Sequence, residues 1–513
     1  MGRFQRFINF VERVGNKLPH PFMLFVSLAI IVLIISFVCN KLGVSVTYMT
    51  ASKNAAETTK EVTVTVRNLL EADYIRSFLT DFVDTYVSFP PLGLIMIMML
   101  GIGYLQDTGF FNALMRKTLL GAPAYTVTFV LAVVGVCANI ASNAGIVFAA
   151  SIGAAIFAAL GRNPILGAVA GYAAGHGGFT ANLMVAGTDG LLAGITESAC
   201  KSMGIEAPTH PLINWFFMIV ATFVIAASVT FVTEKIMPKF IKLEGDVDAS
   251  ELKKQELTPI ENKGLKNALI AFVVFLVLIL IFTIPQNGLL RNEAGNILPK
   301  SPFTKGIVAI LFFLFVTLGT AYGIGAKVIK NHKSIPKFMA NGLKGSISFF
   351  VVALPAAYFI GFFKASNLAT IIAVKGANLL QSLNFSGIPL AISFVILTGF
   401  LNLFLTSGSS KWLILAPIFV PMFSIMNFSP ALTQLAYRIG DSVTNPISPI
   451  NYFLPMLIAI LQQYKGDNED IGIGTVISMT LPYSIMFLIS LVLLLVIWML
   501  IGLPLGPGTP LWL

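Results

Sequence analysis

Long runs of apolar residues alternate with short polar segments along most of the chain. Several runs reach or approach about 20 residues, the length of a helix that crosses the hydrocarbon core of a bilayer. Strands of an outer-membrane barrel would instead alternate apolar and polar positions over about 10 residues. The pattern therefore predicts an all-α polytopic membrane protein.

The apolar runs predict two kinds of crossing segment. Two long crossings, at 164–200 and 430–462, are interrupted by Gly, Pro and polar residues. No small-residue cleavage site follows the first apolar run, so we expect this run to remain as a helix and not to be a removable signal peptide. Uninterrupted crossings are expected near residues 22–40, 90–106, 211–233, 267–285, 303–324, 345–365 and 474–503.

Two further apolar stretches, 122–160 and 387–428, carry small polar residues at their centres. Irregular backbone at membrane depth is tolerated only where it lines a cavity or is buried in protein. Each stretch therefore predicts a re-entrant hairpin, which gives nine transmembrane helices plus two re-entrant hairpins. The candidate hairpin-tip residues are Ser142, Asn143, Ser407 and Ser410.

The order helix, hairpin, broken helix occurs twice, and aligning the two units places Asn143 on Ser409 and Pro164 on Pro430. The predicted topology gives the units opposite orientations. Such inverted repeats are typical of secondary transporters, whose sites lie where broken helices meet near the midplane. The predicted parts are an N-terminal helix and outer loop (1–87), repeat 1 (88–200), scaffold helices with a cytoplasmic loop at 234–266 (201–344), repeat 2 (345–462) and a C-terminal helix (463–513).

Composition and charge agree with a membrane protein. Of the residues, 56% are hydrophobic and 11% are charged, against about 25% charged in a typical soluble domain. The net charge of +10 could indicate nucleic-acid binding. Most Lys and Arg residues, however, fall in segments that are cytoplasmic if the N-terminus is inside, as the positive-inside rule expects. We therefore expect a multi-pass protein of a bacterial inner membrane, with a cytoplasmic N-terminus, an external C-terminus and no nucleic-acid partner.

The three cysteines, Cys39, Cys137 and Cys200, are isolated from one another in the sequence. This spacing indicates neither a disulfide framework nor a paired-cysteine metal site. Phosphate-binding glycine loops and zinc-protease motifs are likewise missing from the sequence where an enzyme would need them. We therefore expect no catalytic residues and no bound cofactor.

Ionisable residues inside the apolar segments are the first candidates for chemistry, because they are costly in a membrane and are usually functional. Arg438 and Asp441 lie three residues apart and so share a helix face. The prolines of Asn445-Pro446 and Ser448-Pro449 free backbone carbonyls, which with Asp441 offer oxygen ligands for a hard cation. Na⁺ is the plausible ion, although ligand type does not separate it from a proton. The alternative is a structural ion pair between Arg438 and Asp441.

The second hairpin tip suggests contacts for an aromatic carboxylate. The hydroxyls of Ser409 and Ser410 and the amides of a half-helix can hold a carboxylate, and Trp412 offers a ring face. Alternatively, Trp412 only packs and the Lys411 ammonium snorkels to the membrane surface. Asn402 can supply an amide oxygen to an ion, or it can make a hydrogen bond between helices.

The first unit is broken by the glycine-rich segment 175–178, which contains His176. Asp189 follows the break and is a candidate for substrate contact or proton coupling; alternatively it caps a helix end. His176 could titrate near neutral pH, but a lone histidine in a glycine-rich break is more simply a hydrogen-bonding residue.

Three segments, 407–412, 437–442 and 187–194, together resemble the p-aminobenzoyl-glutamate transporter (AbgT) family over nearly the whole chain. The resemblance implies the ion-transporter superfamily fold and a homodimer with scaffold and transport parts. It also implies uptake of p-aminobenzoyl-glutamate, or export of p-aminobenzoate and sulfonamide drugs, coupled to Na⁺ or H⁺. By resemblance, the substrate contacts are Asp189, Ser409, Trp412, Pro430 and Arg438, and the Na⁺ site is Asn402 with Asp441.

Three rival functions remain open at this stage. The nearest is a Na⁺-coupled dicarboxylate carrier of the same fold, but only the second hairpin tip is followed by a tryptophan, which favours an aromatic substrate. An intramembrane hydrolase would need a nucleophile and a base, for instance Ser142 with His176. A channel would need a selectivity filter, and no segment resembles one.

Overall fold

The computed structural model describes residues 19–51, 59–239, 256–298, 301–344, 346–405, 407–451, 453–464 and 471–513. Helices dominate these residues, as the apolar pattern predicts. In chain order the elements are α1 (Pro21–Lys41), β1 (Ser45–Ala51), β2 (Thr59–Thr65), α2 (Ala72–Thr80), α3 (Phe82–Val87), α4 (Pro90–Asp107), α5 (Phe110–Leu120), α6 (Val127–Cys137), α7 (Ser142–Ala159), α8 (Pro164–Gly177), α9 (Gly187–Met203), α10 (Trp215–Phe231), α11 (Pro259–Thr283), α12 (Pro302–Lys305), α13 (Ile307–Gly325), α14 (Ser334–Lys344), α15 (Ile347–Ala365), α16 (Leu368–Ser382), α17 (Gly387–Asn402), α18 (Gly408–Ile425), α19 (Pro430–Thr444), α20 (Leu454–Gln462) and α21 (Ile473–Ile501).

Eight helices of the described residues are long and apolar enough to cross a membrane, or up to nine if a bent pair is one span. The bent pair joins α5 to the segment Ala124–Ile140 at an angle of 116°. The all-α polytopic fold is therefore confirmed, whereas the total of nine crossings plus two hairpins stays a prediction. A two-stranded antiparallel sheet, which pairs Ser45 with Thr65, is the one sheet among these residues and was not predicted.

The predicted uninterrupted crossings appear as helices, and α11 begins several residues earlier than its apolar run suggests. The cause is a capping box at its start. The Thr258 hydroxyl accepts the N–H of Glu261 at 3.2 Å, and the Glu261 carboxylate accepts the N–H of Thr258 at 2.8 Å. These two bonds satisfy free backbone donors and stabilise a polar first turn that hydrophobicity alone does not reveal.

The chain doubles back at both predicted hairpin stretches. In the first, a 3₁₀ turn over Ala138–Ala141 joins α6 to α7. A Cβ on Gly153 of α7 would lie 3.1 Å from Leu131 Cδ2 of α6, so the two arms run side by side. In the second, the rings of Phe394 on α17 and Phe419 on α18 are 4.7 Å apart between centroids. Short helices α5 and α16, which the apolar pattern did not predict, precede the hairpins in the two units.

Both predicted broken helices are broken in the structure. In the first unit α8 ends at Gly177 and α9 begins at Gly187, so nine residues of irregular backbone separate them. In the second unit α19 ends at Thr444, a 3₁₀ turn covers Asn445–Ile447, and α20 begins at Leu454. The helix α9 packs against α4 and against α18, so it connects the first unit to the second hairpin.

Candidate substrate and ion site

Each of the two breaks contacts the broken helix of the other unit. Thr180, in the first break, donates its hydroxyl to the carbonyl of Arg438 at 2.6 Å and also contacts the Ser442 hydroxyl. His176 contacts Asn451, which lies in the second break, at 2.8 Å. Irregular backbone from both units is therefore buried against protein, as its position within apolar segments requires.

His176 makes hydrogen bonds through both ring nitrogens. Nδ1 lies 2.9 Å from the carbonyl of Tyr172, and Nε2 lies 2.8 Å from the side-chain amide of Asn451. Because a carbonyl only accepts, Nδ1 carries the proton and Nε2 accepts. Neither nitrogen is left to activate a serine, so the geometry gives no support to a hydrolase that uses His176 as its base.

Four charged side chains are buried among the described residues, and they form two ion pairs. Arg438 pairs with Asp189, and Lys411 pairs with Asp441. The interpretation of an Arg438–Asp441 pair is therefore wrong, because each residue meets an opposite charge on another helix. The interpretation that Lys411 snorkels is also wrong, since this residue is 1% exposed.

The Arg438–Asp189 pair joins the second unit to the first. Arg438 Nη2 lies 2.7 Å from Asp189 Oδ1, and both side chains are 2% exposed. Arg438 Nε also donates to the carbonyl of Phe179 at 2.8 Å, and the guanidinium lies 5.4 Å from the centroid of the Phe179 ring. One arginine thus contacts a carboxylate, a freed carbonyl and an aromatic face.

Asp189 caps the start of α9, which was the alternative considered for it, and it also pairs with a buried cation; a role in substrate contact or proton coupling stays a prediction. It lies in the first turn of α9, where its Oδ2 accepts the N–H of Ala186 at 2.7 Å. The same carboxylate reaches Arg438 through its other oxygen. Because the N-terminus of a helix favours negative charge, the end of α9 stabilises this carboxylate in its buried position.

Asn402 and Asp441, the predicted ion ligands, lie together. The Asn402 amide donates to the Asp441 carbonyl at 2.9 Å, to Thr444 Oγ1 at 3.0 Å and to Asn445 Oδ1 at 2.8 Å. Asn402 therefore makes the hydrogen bonds between helices that were the alternative to ion binding. The Lys411 ammonium contacts both Asn402 Oδ1 and Asp441 Oδ1.

Trp412 is fully buried and already has an aromatic partner. Its ring stacks on Tyr437, with 4.7 Å between centroids and 22° between planes. Its Nε1 donates to Thr196 Oγ1 at 3.0 Å, and Thr196 donates to Gln434 Oε1 at 2.6 Å. The Gln434 amide donates in turn to Asn214 at 3.1 Å. This polar chain connects α18, α9 and α19 behind the Trp412 ring.

The second hairpin tip packs against the first break. Ser407 caps α18 by accepting the N–H of Ser410 at 3.3 Å, and Ser409 is half-buried in the same turn. A Cβ on Gly408 would lie 2.7 Å from the Phe179 ring, so a larger residue at this position would require the ring to move. The Tyr437 hydroxyl donates to the Gly408 carbonyl.

Three predicted site residues are not part of this cluster. One lies farther along α19, and the side chains of the other two are outside the described residues. Pro430 is buried at the first helical position of α19. Eight residues separate it from Arg438, which is about 12 Å along the helix axis. The backbone of Ser142 and Asn143 begins α7, but their side chains, like Thr406, lie outside the described residues.

Several residues of the site were missed by sequence reasoning, namely Phe179, Thr180, Thr196, Gln434 and Tyr437. One signal was available, because polar residues recur at Gln434, Arg438, Asp441 and Asn445 with the three- or four-residue spacing of a single helix face. Phe179, Thr180 and Thr196 carry no such local signal, since their roles depend on contacts with another helix.

Comparison with known proteins agrees with this architecture. The model of the AbgT putative transporter family matches residues 6–513. The p-aminobenzoyl-glutamate transport protein of Escherichia coli (strain K12) is 36% identical over 499 residues, which cover 97% of this chain and 95% of that protein.

Two solved structures are similar over almost the whole chain. The structure of Neisseria gonorrhoeae MtrF, which represents a class of antimetabolite efflux pumps, matches this chain with a TM-score of 0.92 and 38% identity. The match covers 98% of this chain and 100% of that one. The Alcanivorax borkumensis YdaH transporter has a TM-score of 0.85 and 30% identity, covering 95% of this chain and 100% of that one. The chain therefore belongs to the AbgT putative transporter family and is a multi-pass membrane transporter, not an enzyme.

Proposed function

We propose that the protein is a secondary active transporter of p-aminobenzoyl-glutamate and p-aminobenzoate-type compounds, including sulfonamide antimetabolites, driven by a Na⁺ or proton gradient. The observation that carries this proposal is the buried Arg438–Asp189 pair, which joins the broken helices of both units. The names of the similar proteins from E. coli and N. gonorrhoeae support the same substrate class.

The Arg438–Asp189 ion pair supports recognition of a carboxylate, because Arg438 can exchange Asp189 for a carboxylate of the substrate. The planar guanidinium of arginine binds carboxylates through charge-assisted hydrogen bonds. In this structure Asp189 lies against Arg438 Nη2, and in the loaded protein a substrate carboxylate takes this place. Asp189 then needs another positive partner or water, because an uncompensated buried charge is strongly unfavourable. This requirement gives a physical reason for coupling substrate movement to a cation.

The rings around Arg438 support an aromatic substrate over a dicarboxylate. Phe179 and Tyr437 meet edge to face, with centroids 6.3 Å apart, and Trp412 stacks on Tyr437. A p-aminobenzoyl ring that enters beside Arg438 can replace one of these aromatic contacts with another of similar energy. A small dicarboxylate offers no ring for this exchange, so the dicarboxylate carrier is retained only as an outcome of the test below.

The proposal includes a homodimer in the bacterial inner membrane, with a cytoplasmic N-terminus. In support, α11 exposes large apolar side chains along the protomer surface, among them Leu269, Val273 and Ile281. Such a surface suits lipid or a second copy of the chain. Native mass spectrometry from detergent tests the dimer, and cysteine labelling from either side of sealed vesicles tests the orientation.

Flux into proteoliposomes tests the proposed function directly. Labelled p-aminobenzoyl-glutamate and a labelled sulfonamide are offered with Na⁺ and pH gradients imposed separately, and succinate serves as the dicarboxylate control. We expect saturable flux of the aromatic compounds that follows one of the gradients and is lost in Arg438→Ala.

The matched control for that variant is Arg76→Ala, because Arg76 pairs with Asp73 at 3.0 Å on an exposed surface. This variant should transport as the wild type does. Flux of succinate alone would replace the substrate assignment with the dicarboxylate carrier, and flux of aromatic compounds that survives Arg438→Ala would contradict the proposed site.

A further inference from the structure

The Asn402–Asp441 oxygens are contacted by a cation that belongs to the chain itself. The Lys411 ammonium touches Asp441 Oδ1 and Asn402 Oδ1, and Lys411 is 1% exposed. The other Asp441 oxygen accepts the Asn445 side-chain amide at 2.8 Å. Each oxygen of the Asp441 carboxylate is therefore engaged by a donor on the protein.

Charge balance argues against a metal ion beside this ammonium. The four buried charges among the described residues already cancel, as Arg438 with Asp189 and Lys411 with Asp441. A Na⁺ ion on the same two oxygens would lie within contact distance of a like charge in a medium that screens poorly. The ammonium and the metal ion therefore exclude each other.

We propose that Lys411 is the resident cation of the Asn402–Asp441 site in this structure, and that Na⁺ competes with its ammonium for the two oxygens. Lys411 then acts as a positioning residue that sets when the site accepts an ion. The inference deepens the proposed cation coupling. Its role in transport rests on that proposal, but the binding of a cation can be measured without any flux.

The position of Lys411 links this competition to the second hairpin. Lys411 lies in the first turn of α18, directly after the tip residue Ser410 and three residues after Gly408. Its side chain is buried along its length, so the ammonium leaves the oxygens only if this turn moves. Gly408 packs on Phe179 of the first break, so the same movement separates the two units. Entry of Na⁺ and opening of the hairpin tip are thus one event.

Thermal unfolding of the purified full-length protein tests this competition. Wild type, Lys411→Met and the double variant Lys411→Met/Asp441→Asn are compared in NaCl, KCl and choline chloride at equal ionic strength. Lys375→Met is the matched control, because Lys375 is an exposed lysine on α16.

We expect Na⁺ to raise the melting temperature of Lys411→Met by about 3 °C over choline in a saturable manner. Wild type and Lys375→Met should show a much smaller shift at the same Na⁺ concentration, because the ammonium competes for the oxygens, and the double variant should show none. If Lys411→Met is unfolded in choline, the proposal requires NaCl to restore the folded form, since Na⁺ then supplies the missing charge.

Three results would overturn the proposal. The first is an equal Na⁺ shift in wild type and Lys411→Met, which would place the ion elsewhere. The second is a folded Lys411→Met that does not respond to Na⁺. The third is a Lys411→Met variant that stays unfolded in NaCl as well as in KCl and choline chloride. A failure of the proposed substrate assignment would appear only in the flux assay and leave these melting curves unchanged.

Discussion

The two units share one order of elements, and in both of them helices meet backbone to backbone, but the second unit also holds a buried polar cluster between its helices. In the first, α7 and α8 meet backbone to backbone at Gly153 and Gly167. A Cβ on Gly153 would lie 2.3 Å from the Gly167 carbonyl oxygen, and one on Gly167 would lie 2.1 Å from that of Gly153. In the second unit a Cβ on Gly440 of α19 would lie 2.4 Å from the Val395 carbonyl oxygen of α17. Here α17, α18 and α19 also meet through the buried polar cluster of Asn402, Lys411 and Asp441.

This difference indicates a division of labour between the units. The contact between α7 and α8 leaves no space for a side chain and contains no charged group, so we expect the first unit to be the more rigid frame. Polar contacts can be exchanged for equivalent contacts with a ligand or an ion, so the second unit can change partners. The frame contributes Asp189, Phe179 and Thr180 just beyond its packed helices, where they face Arg438 of the second unit.

The largest effect is expected from Gly167→Leu in the frame. Its side chain would meet the backbone of Gly153, and backbone atoms cannot rotate away as a flexible side chain can. We expect no folded protein by size-exclusion chromatography. Gly93→Leu is the control, because a Cβ on this exposed helical glycine of α4 meets nothing within 4 Å. A folded Gly167→Leu would contradict the rigid-frame account.

The next largest effect is expected from Arg438→Ala. It leaves the Asp189 carboxylate buried without its cation, which costs about 3–5 kcal/mol of unfolding free energy. Arg438→Gln combined with Asp189→Asn removes both charges and should regain most of this stability without regaining transport. Thermal unfolding checks the stability of the variants, and flux on the same samples checks their transport. Transport by the neutral pair would show that the charges are not needed.

Asn402→Ala should weaken the second unit by about 2 kcal/mol, because the variant removes hydrogen bonds to partly or fully buried polar groups of α19 and of the turn that follows it. The partners are the Asp441 carbonyl, Thr444 and Asn445. Denaturant unfolding measures the loss, and Ser382→Ala on the exposed end of α16 is the control. If both variants lose the same small amount of stability, the polar cluster does not hold the unit together.

The smallest effect is expected at the hydrogen bond between Trp412 and Thr196. Trp412→Phe retains an aromatic ring on Tyr437 but removes the donor, and Thr196→Val removes the acceptor. Each should cost about 1–2 kcal/mol, and a double-mutant cycle should give a coupling energy of about 1 kcal/mol. Strict additivity of the two substitutions would mean that the bond contributes nothing to stability.

The sequence predicts the fold well, because a helix that crosses a membrane needs a long apolar run, and such a run can be recognised in the sequence itself. Apolar runs locate the crossing helices, and the breaks after Gly177 and Thr444 follow from glycine and proline. The short helices α5 and α16 escape this signal, because each is shorter than a membrane span and its apolar residues are interrupted by charged and amide side chains. The true start of α11 escapes it as well, because a capping box and not hydrophobicity determines that boundary.

The site is only partly predictable for a different physical reason. Arg438, Asp441 and Asp189 stand out, because a charge inside an apolar segment is rare. Their partners do not, since pairing depends on how separate helices pack. Neighbouring positions on α19 suggested a bond between Arg438 and Asp441, whereas each pairs with a charge from α9 or α18. Lys411 has the sequence position of a snorkelling residue, and only the packing of the first turn of α18 against α17 and α19 buries it.

The most direct test of the account is calorimetric binding of p-aminobenzoate and its neutral amide, p-aminobenzamide, to the purified protein. If a substrate carboxylate replaces Asp189 at Arg438, wild type should bind the acid roughly 10–100-fold more tightly than the amide. The neutral pair Asp189→Asn/Arg438→Gln should lose this preference. Equal affinity for acid and amide in wild type, or an unchanged preference in the neutral pair, would contradict carboxylate recognition by Arg438.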